Sequence, residues 1–207
     1  ASMLWVGWFG FNGGSALAAN GNAGMAILVT HLGAATGSLA WMTMEWVRHG
    51  KASILGIVTG MVAGLGTITP ASGFVGPVGA AIIGLLAGWV CYWFTQLIKQ
   101  RLKIDDSLDV SPVHGVGGIM GTLLTGVFAA PVLGGTGLAS GGTMLHQVGV
   151  QALGVVATLA WSGVLTFIIL KVVDAMVGLR ADHDQETEGL DLAFHDEKGY
   201  NLDTGSF

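Results

Sequence analysis

The sequence predicts an all-α, polytopic membrane protein, and three observations indicate this fold class. Hydrophobic residues make up 52% of the 207 residues and charged residues only 10%, and the mean hydropathy is +0.67. Soluble domains average about 25% charged residues, so this deficit indicates several apolar spans. The chain also contains 35 glycines, and small residues let membrane helices approach one another closely.

Six apolar segments are predicted to cross the bilayer, because a hydrocarbon core of about 30 Å needs roughly 20 apolar residues in a helix. The predicted spans are 2–19, 23–47, 52–68, 76–98, 111–132 and 143–177, followed by a polar tail at 178–207. The sixth is longer than a bilayer needs and is expected to tilt or to project. Small residues at four-residue spacing predict close contacts of the third and fourth spans: Gly56, Gly60 and Gly64, then Ala80, Gly84 and Gly88.

Basic residues alternate between the loops and therefore predict the topology. The loops after spans two, four and six contain all the basic loop residues, namely Arg48, Lys51, Lys99, Arg101, Lys103 and Arg180. The loops after spans one, three and five contain no lysine or arginine. The positive-inside rule places the basic loops and the tail in the cytoplasm. The fifth span then runs from the inside to the outside.

The beginning of the chain and its cysteine content limit the interpretation further. Ala1 already lies in an apolar segment without an initiator methionine or a basic region, so this segment is not a signal peptide. We interpret the chain as the carboxyl-terminal part of a longer protein. Cys91 is the single cysteine, so a disulfide within the chain and a cysteine metal motif are both excluded.

His114 is the residue on which the functional interpretation depends. Asp105 to Asp109 supply carboxylates just before it, and Pro112 can occupy the first turn of a helix without losing a needed donor. An ionisable ring inside a membrane helix is a functional-site candidate, because leaving it in hydrocarbon is costly. These residues alone support equally well a second interpretation, in which His114 is a neutral core histidine that is hydrogen-bonded to a neighbouring carbonyl.

Two further features accompany this histidine. Trp8, Phe11 and Ser15 fall on one face of the first span, where they either receive a cation by cation–π attraction or form a packed aromatic stripe. The packed stripe is the favoured alternative before other information is added. Asp109 is predicted to cap the helix of His114 rather than to contact a cation.

Other classes of function find no support in the sequence. His31 and His146 lack a second ligand at metal spacing, and they are predicted to be structural. The glycines around Gly115 and Gly135 complete neither a dinucleotide fingerprint nor a P-loop. We predict that the protein is not an enzyme, because the sequence contains no recognisable combination of a nucleophile, a base and an orienting acid. We also predict no metal and no cofactor. The short basic loops form no nucleic-acid face, so no nucleic-acid partner is expected.

Three ordered motifs resemble bacterial ammonium transporters of the Amt/Rh family, and the similarity covers essentially the whole chain. The motifs are GWFGFNGGS at 7–15, GTITPA at 66–71 and DVSPVHGVGG at 109–118. GLR at 178–180 and EGLD at 188–191 resemble that family's cytoplasmic tail. The first motif favours the Amt branch, and the chain corresponds to spans six to eleven. One departure is Ser111-Pro112, where many relatives have an aromatic residue and a glycine.

The resemblance implies an eleven-span inverted-repeat fold, with a homotrimer in the inner (plasma) membrane and one narrow hydrophobic pore per subunit. It implies that His114 is one of two pore histidines and that Trp8 lines the pore. It implies that Phe11 belongs to the gate, that Ser15 contacts ammonium in the outer vestibule, and that Asp109 supports the foot of the histidine helix.

The resemblance also implies a substrate and a mechanism. Ammonium is recruited and loses its proton, ammonia passes through the apolar pore, and the histidines aid passage or relay the proton. Membrane lipid surrounds the protein, and a PII signal protein docks on the cytoplasmic face. The alternative function is an ammonium sensor or PII-docking membrane protein with little net transport.

Overall fold

The computed structural model describes residues 1–139 and 142–199. Eight α-helices follow one another in these residues: α1 (Ser2–Gly14), α2 (Gly21–His49), α3 (Ile54–Ile68), α4 (Pro77–Gln96), α5 (Gly117–Phe128), α6 (Met144–Val177), α7 (His183–Glu188) and α8 (Leu190–His195). Short 3-10 helices occupy Thr69–Ala71 and Pro131–Leu133, and π-helical turns occupy Leu97–Arg101 and Ser111–Val116. The chain divides into two compact units, which meet within α6 between Val156 and Ala157.

Four of the described helices are long and apolar enough to cross a membrane, namely Gly21–His49, Ile54–Ala71, Pro77–Arg101 and Met144–Val177. Their ends lie within about three residues of the predicted second, third, fourth and sixth spans. The first span differs more, because α1 has only 13 residues and ends at Gly14 rather than near Ala19. Beyond it, Leu17 adopts a left-handed backbone, and the Asn20 side chain accepts hydrogen bonds that begin α2.

Helices α2, α3 and α4 form the core of the first unit through glycine contacts. A Cβ at Gly64 would overlap the backbone carbonyl of Gly33, and a Cβ at Gly88 would overlap that of Gly37. On α4, Gly84 lies against Gly33 in the same way. The four-residue glycine spacing therefore lets these backbones touch, as the sequence predicts. Buried apolar clusters fill the space beside these contacts.

The carboxyl-terminal ends of α2 and α4 lie side by side. The guanidinium carbon of Arg48 is 3.8 Å from the centroid of the Trp93 ring. His49 Nε2 and the Tyr92 hydroxyl are 3.1 Å apart. The basic segments that follow these two helices therefore share one end of the first unit.

The second unit contains the end of α6 and the two short tail helices. Arg180 Nε donates a hydrogen bond to Glu186 Oε1 at 2.6 Å. This hydrogen bond holds the pKa of the Glu186 carboxyl below its ordinary value. Asp182 and Gln185 form a capping box at the start of α7, because each side chain accepts a backbone N–H of the other residue.

Candidate functional site

The end of α3 holds Trp8 in a fixed orientation. The Trp8 indole Nε1 donates a hydrogen bond to Thr69 Oγ1 at 2.7 Å. The Thr69 hydroxyl in turn donates to the Leu65 carbonyl at 2.7 Å. The indole is only half-buried, and its polar atom nevertheless has a protein partner. Thr69 lies in the GTITPA motif, and no role for it was predicted from the sequence.

The same end of α3 also lies beside His114. A Cβ at Gly66 would be 3.8 Å from His114 Nδ1 and 3.6 Å from the Val113 carbonyl oxygen. Residues 66 and 69 are three apart, and residues at this spacing face the same side of a helix. The structure therefore brings Trp8 and His114 to one turn of α3. The His114 ring is exposed on this surface of the first unit.

A π-helical turn, rather than the predicted regular α-helix, carries His114. The segment Ser111–Val116 is π-helical, and α5 begins only at Gly117. Pro112 lacks a backbone N–H, and the Gly117 N–H donates to the Pro112 carbonyl as well as to that of His114. Turns of this kind change the direction of side chains and occur often at functional sites. Periodicity in the sequence did not reveal this turn.

Phe11 and Ser15 continue the surface along α1 towards its carboxyl-terminal end. The Phe11 side chain is 63% exposed. Its ring centroid is 6.4 Å from that of Trp8, in an edge-to-face arrangement. The Ser15 hydroxyl is exposed and donates a hydrogen bond to the Phe11 carbonyl at 2.7 Å. Because its proton is used in this way, the Ser15 oxygen presents its lone pairs to other groups.

Asn12 attaches α1 to the core. Its side chain is buried, and Nδ2 donates to Thr30 Oγ1 at 2.9 Å. Thr30 is itself fully buried and donates to the Ala26 carbonyl at 2.6 Å. This hydrogen bond was not predicted from the sequence. Asn12 is a single asparagine in an apolar helix, and a buried polar side chain of this kind requires a hydrogen-bond partner.

A cavity of about 270 Å³ adjoins Ser15 within the first unit. Polar residues supply half of its lining, and the polar members are Asn12, Ser15, Asn22, Thr69 and Ser72. Pro70 and Phe74 contribute apolar walls. The exposed aromatic surface of α1 thus continues into a polar recess at its Ser15 end.

The carboxylate that caps the His114 helix is Asp106, and the prediction of Asp109 was wrong. Asp106 Oδ1 accepts from the Val110 N–H and Oδ2 from the Ser111 N–H, both at 2.8 Å. Asp109 instead forms an ion pair with Lys99, with 2.7 Å between Oδ1 and Nζ. Its left-handed backbone, at φ 56°, turns the chain before the helix. Asp109 therefore lies at the foot of the helix and pairs with Lys99 instead of capping the helix.

Replacing Asp106 with asparagine is expected to destabilise the protein by about 1 kcal/mol at neutral pH, because the amide NH₂ group cannot accept one of the two N–H groups that the carboxylate oxygens accept. Burial would raise the pKa of the Asp106 carboxyl, but the N–H groups of Ser111 and Val110 outweigh it, so the pKa is lowered. A carboxyl whose pKa is lowered by folding stabilises the folded state at pH values above its ordinary pKa. This stabilisation is lost as the pH falls through the lowered pKa. Thermal unfolding between pH 7 and pH 3 measures the difference, with Asp105→Asn as the control. An equal effect of both variants would contradict this role of Asp106.

The other two histidines of the predicted spans take no part in the contacts described above. The His31 ring lies 5.1 Å from the Trp5 ring, centroid to centroid, and is exposed. His146 lies in the first turn of α6 and is also exposed. Within residues 1–139 and 142–199, no three His, Cys, Asp or Glu side chains cluster as metal ligands.

These apolar helices define a polytopic helical membrane protein. The sequence profile of the Ammonium Transporter Family matches residues 1–200, and the chain belongs to this family. The ammonium transporter of Aquifex aeolicus is 49% identical over 203 residues, which are 98% of this chain and 47% of that protein. The ammonium transporter Amt1 of Archaeoglobus fulgidus is 47% identical over 201 residues, 97% of this chain and 50% of that protein.

Solved structures give the same result for the fold. A protein named Sensor Amt Protein superposes with a TM-score of 0.85 at 37% identity, over 93% of this chain and 47% of that one. Candida albicans Mep2 superposes with a TM-score of 0.78 at 38% identity, over 88% of this chain and 42% of that one. The chain therefore spans about half the length of the relatives that it matches.

Proposed function

We propose that this chain forms one wall of a pore that conducts ammonium or ammonia across a membrane. The observation that supports this most directly is that Trp8 and His114 both lie beside the end of α3. Phe11 and Ser15 extend the same surface through the edge-to-face contact of Phe11 with Trp8. Membership of the Ammonium Transporter Family supports ammonium as the substrate.

Recruitment of the cation begins at Ser15 in this proposal. Its hydroxyl proton is donated to the Phe11 carbonyl, so the oxygen accepts a hydrogen bond from an ammonium N–H. The exposed face of Phe11 attracts the cation through its ring quadrupole. These contacts replace part of the water that ammonium loses on entering the site.

Loss of a proton makes the apolar passage possible. Moving an intact cation through a dry pore is expensive, so the neutral form is favoured there. Phe11 acts as the gate, Trp8 lines the path, and the His114 imidazole offers a polar group that aids ammonia or relays the proton. Potassium and sodium have no proton to release, and this difference gives the selectivity.

Current measurements on proteoliposomes containing the full-length protein test this function. Ammonium added to one side is expected to evoke a current, whereas an equal concentration of potassium is expected to evoke none. Empty liposomes measure the passive permeation of ammonia. An ammonium-evoked current and a change in internal pH that both equal those of empty liposomes would remove transport as the function.

Replacing Ser15 with alanine is expected to raise the apparent KM for ammonium about 10-fold while the maximal current changes little. The lost contact is one hydrogen bond to a charged group, and the remaining aromatic contacts still attract the cation. Current measured over a range of ammonium concentrations separates the two parameters. Ser38→Ala on α2 is the matched control, and an unchanged KM in Ser15→Ala would exclude Ser15 from recruitment.

We also propose the membrane setting that the topology supports. The protein lies in the inner (plasma) membrane as a homotrimer, and its tail at 178–207 is cytoplasmic. Six spans follow if α1 and the segment from Ser111 to Leu133 both cross the bilayer. The shared location of the basic ends of α2 and α4 supports the cytoplasmic assignment of their loops.

A sensor or docking platform for a PII signal protein is the second candidate function. One solved relative is named Sensor Amt Protein, and this name favours a sensor as the alternative to a transporter. The partner would contact the basic loops and the acidic tail, which includes Asp184, Glu188 and Asp191. Pull-down with PII and transport assays with and without the tail distinguish the two functions. A platform binds PII and carries no ammonium, whereas a transporter carries ammonium without the partner.

A further inference from the structure

Two successive residues of α3 contact the two ends of the π turn that carries His114. Gly66 faces Val113 and His114 at the start of the turn. Thr67 faces Gly117, the residue that follows the turn, and a Cβ at Gly117 would be only 2.7 Å from Thr67 Oγ1. The transport proposal gives no role to Thr67 or to Gly117.

Gly117 closes the π turn through its backbone. Its N–H group donates to the carbonyls of both Pro112 and His114, so its position sets the curvature of the segment between them. Pro112 and Val113 are buried, which anchors the base of the turn in the core. A displacement of Gly117 relative to this base therefore moves His114, which lies between them in the chain.

The contact between Thr67 and Gly117 leaves no room for a side chain at position 117. Thr67 is fully buried, and a branched side chain has few rotamers in a helix. Cys91 Sγ, which would be 3.4 Å from the same Cβ, fills the space beside it. One turn further along α5, a Cβ at Gly121 would overlap the Thr67 carbonyl. Both oxygens of Thr67 therefore lie against α5 and limit how closely that helix approaches α3.

The Thr67 hydroxyl is unusual because it does not bond to the backbone of its own helix. It has no nitrogen or oxygen partner in the part of the chain that the structure describes, and its polar neighbour is the weakly accepting sulfur of Cys91. Other threonines of the first unit donate to a carbonyl four residues earlier, as do Thr30, Thr69 and Thr125. A buried hydroxyl without such a partner lowers stability, and this cost indicates a role other than stabilising α3.

We propose that Thr67 is a positioning residue for ammonium transport, because its contact with Gly117 sets where the π turn holds the His114 ring. The effect of Thr67 on transport rests on the proposed function, whereas its effect on the position of the ring does not. The two effects are therefore measured separately.

Gly117→Ala in the full-length protein is expected to lower the maximal ammonium current about 10-fold. The added methyl group moves the turn by a fraction of an ångström, and a misplacement of about 1 Å costs up to about 100-fold in an enzyme. The apparent KM is expected to stay within about twofold, because recruitment at Ser15 does not involve the turn. Voltage-clamped proteoliposomes and a series of ammonium concentrations give both values.

Second substitutions show whether this loss arises from the contact with Thr67. Thr67→Ala combined with Gly117→Ala removes the overlapping oxygen and is expected to restore the current to within about threefold. Gly118→Ala is the matched control, because nothing lies within 4 Å of a Cβ at that position. In a His114→Leu background, Gly117→Ala is expected to cause no further loss, because the ring that it displaces is absent.

Thr67→Val separates positioning from stability. Valine places a larger methyl group at about the position of the hydroxyl and removes a buried polar group that has no nitrogen or oxygen partner in the described chain. The midpoint of thermal unfolding is therefore expected to stay the same or to rise, while the maximal current falls about threefold. Thr67→Ser retains the hydroxyl and is expected to keep the current within about twofold of the original. An unchanged current in Thr67→Val would contradict the positioning role.

Solid-state NMR of the full-length protein with isotope-labelled histidine tests the ring position without a transport assay. The His114 signal, identified by its loss in His114→Leu, is expected to shift in Gly117→Ala, to return in the double variant with Thr67→Ala, and to stay in place in Gly118→Ala. An unchanged signal in Gly117→Ala, or equal losses of current in Gly117→Ala and Gly118→Ala, would overturn the proposal. If the unaltered protein carries no ammonium, the transport function and the part of Thr67 in it both fail, and the NMR signal still decides whether Thr67 positions the ring.

Discussion

Replacing His114 with leucine in the full-length protein is expected to reduce the ammonium-evoked current roughly 10- to 100-fold. The His114 imidazole lies beside Gly66 and can donate or accept a hydrogen bond. Leucine has a similar size but neither a donor nor an acceptor, so the substitution removes this hydrogen bond. A hydrogen bond to a charged or ionising group contributes about 1.5–3 kcal/mol, which corresponds to this range in rate. Voltage-clamped membranes or proteoliposomes with a fixed ammonium gradient measure the effect.

The control for His114→Leu is the same substitution at His146, which lies in the first turn of α6. His146→Leu is expected to keep the current within about twofold, because that side chain does not adjoin Trp8 or Gly66 in the first unit. Equal protein levels and equal thermal unfolding of the two variants establish that the difference arises in the pore. An unchanged, ammonium-selective current in His114→Leu would remove this residue from the mechanism.

Replacing Gly64 with alanine is expected to lower the free energy of unfolding of the protein by about 3 kcal/mol. The added Cβ would overlap the Gly33 carbonyl, which is backbone and cannot move away by changing a rotamer. Helix α3 must therefore separate from α2, which loosens the core of the first unit. Thermal unfolding of the purified protein is expected to show a midpoint about 5–10 °C lower.

Gly24→Ala on α2 is the matched control, because nothing lies within 4 Å of a Cβ at that position. Alanine favours a helix over glycine, so this variant is expected to be as stable as the original or slightly more stable. Similar losses in Gly64→Ala and Gly24→Ala would mean that helix contact through Gly64 does not support the fold.

Most of the long helices could be predicted because they depend on local hydropathy. A long apolar segment favours the bilayer wherever it lies in the chain. In the bilayer it forms a helix, because a helix pairs every backbone N–H and C=O within the segment. The bounds of α2, α3, α4 and α6 were therefore close to those predicted. The end of α1 was not, because glycines at 13 and 14 and a left-handed Leu17 end the helix while the hydropathy continues.

The details of the candidate site depended on distant residues. The sequence presented three carboxylates before His114, and composition alone did not show which one reaches the free N–H groups of the helix. A left-handed Asp109 leaves that position to Asp106. Thr69 likewise binds Trp8 across 61 residues of sequence, and the spacing of neighbouring residues contains no information about such a contact.

The sequence by itself determined the membrane class, the small-residue faces of α3 and α4, and the motif residues that resemble an ammonium transporter. These features depend on hydropathy and side-chain size, which each short segment contains. The tertiary structure decided that Trp8 and His114 both lie beside the end of α3, that Asp106 caps the histidine helix, and that Arg48 stacks on Trp93. Each of these contacts joins separate elements, so its geometry exists only after the helices have packed.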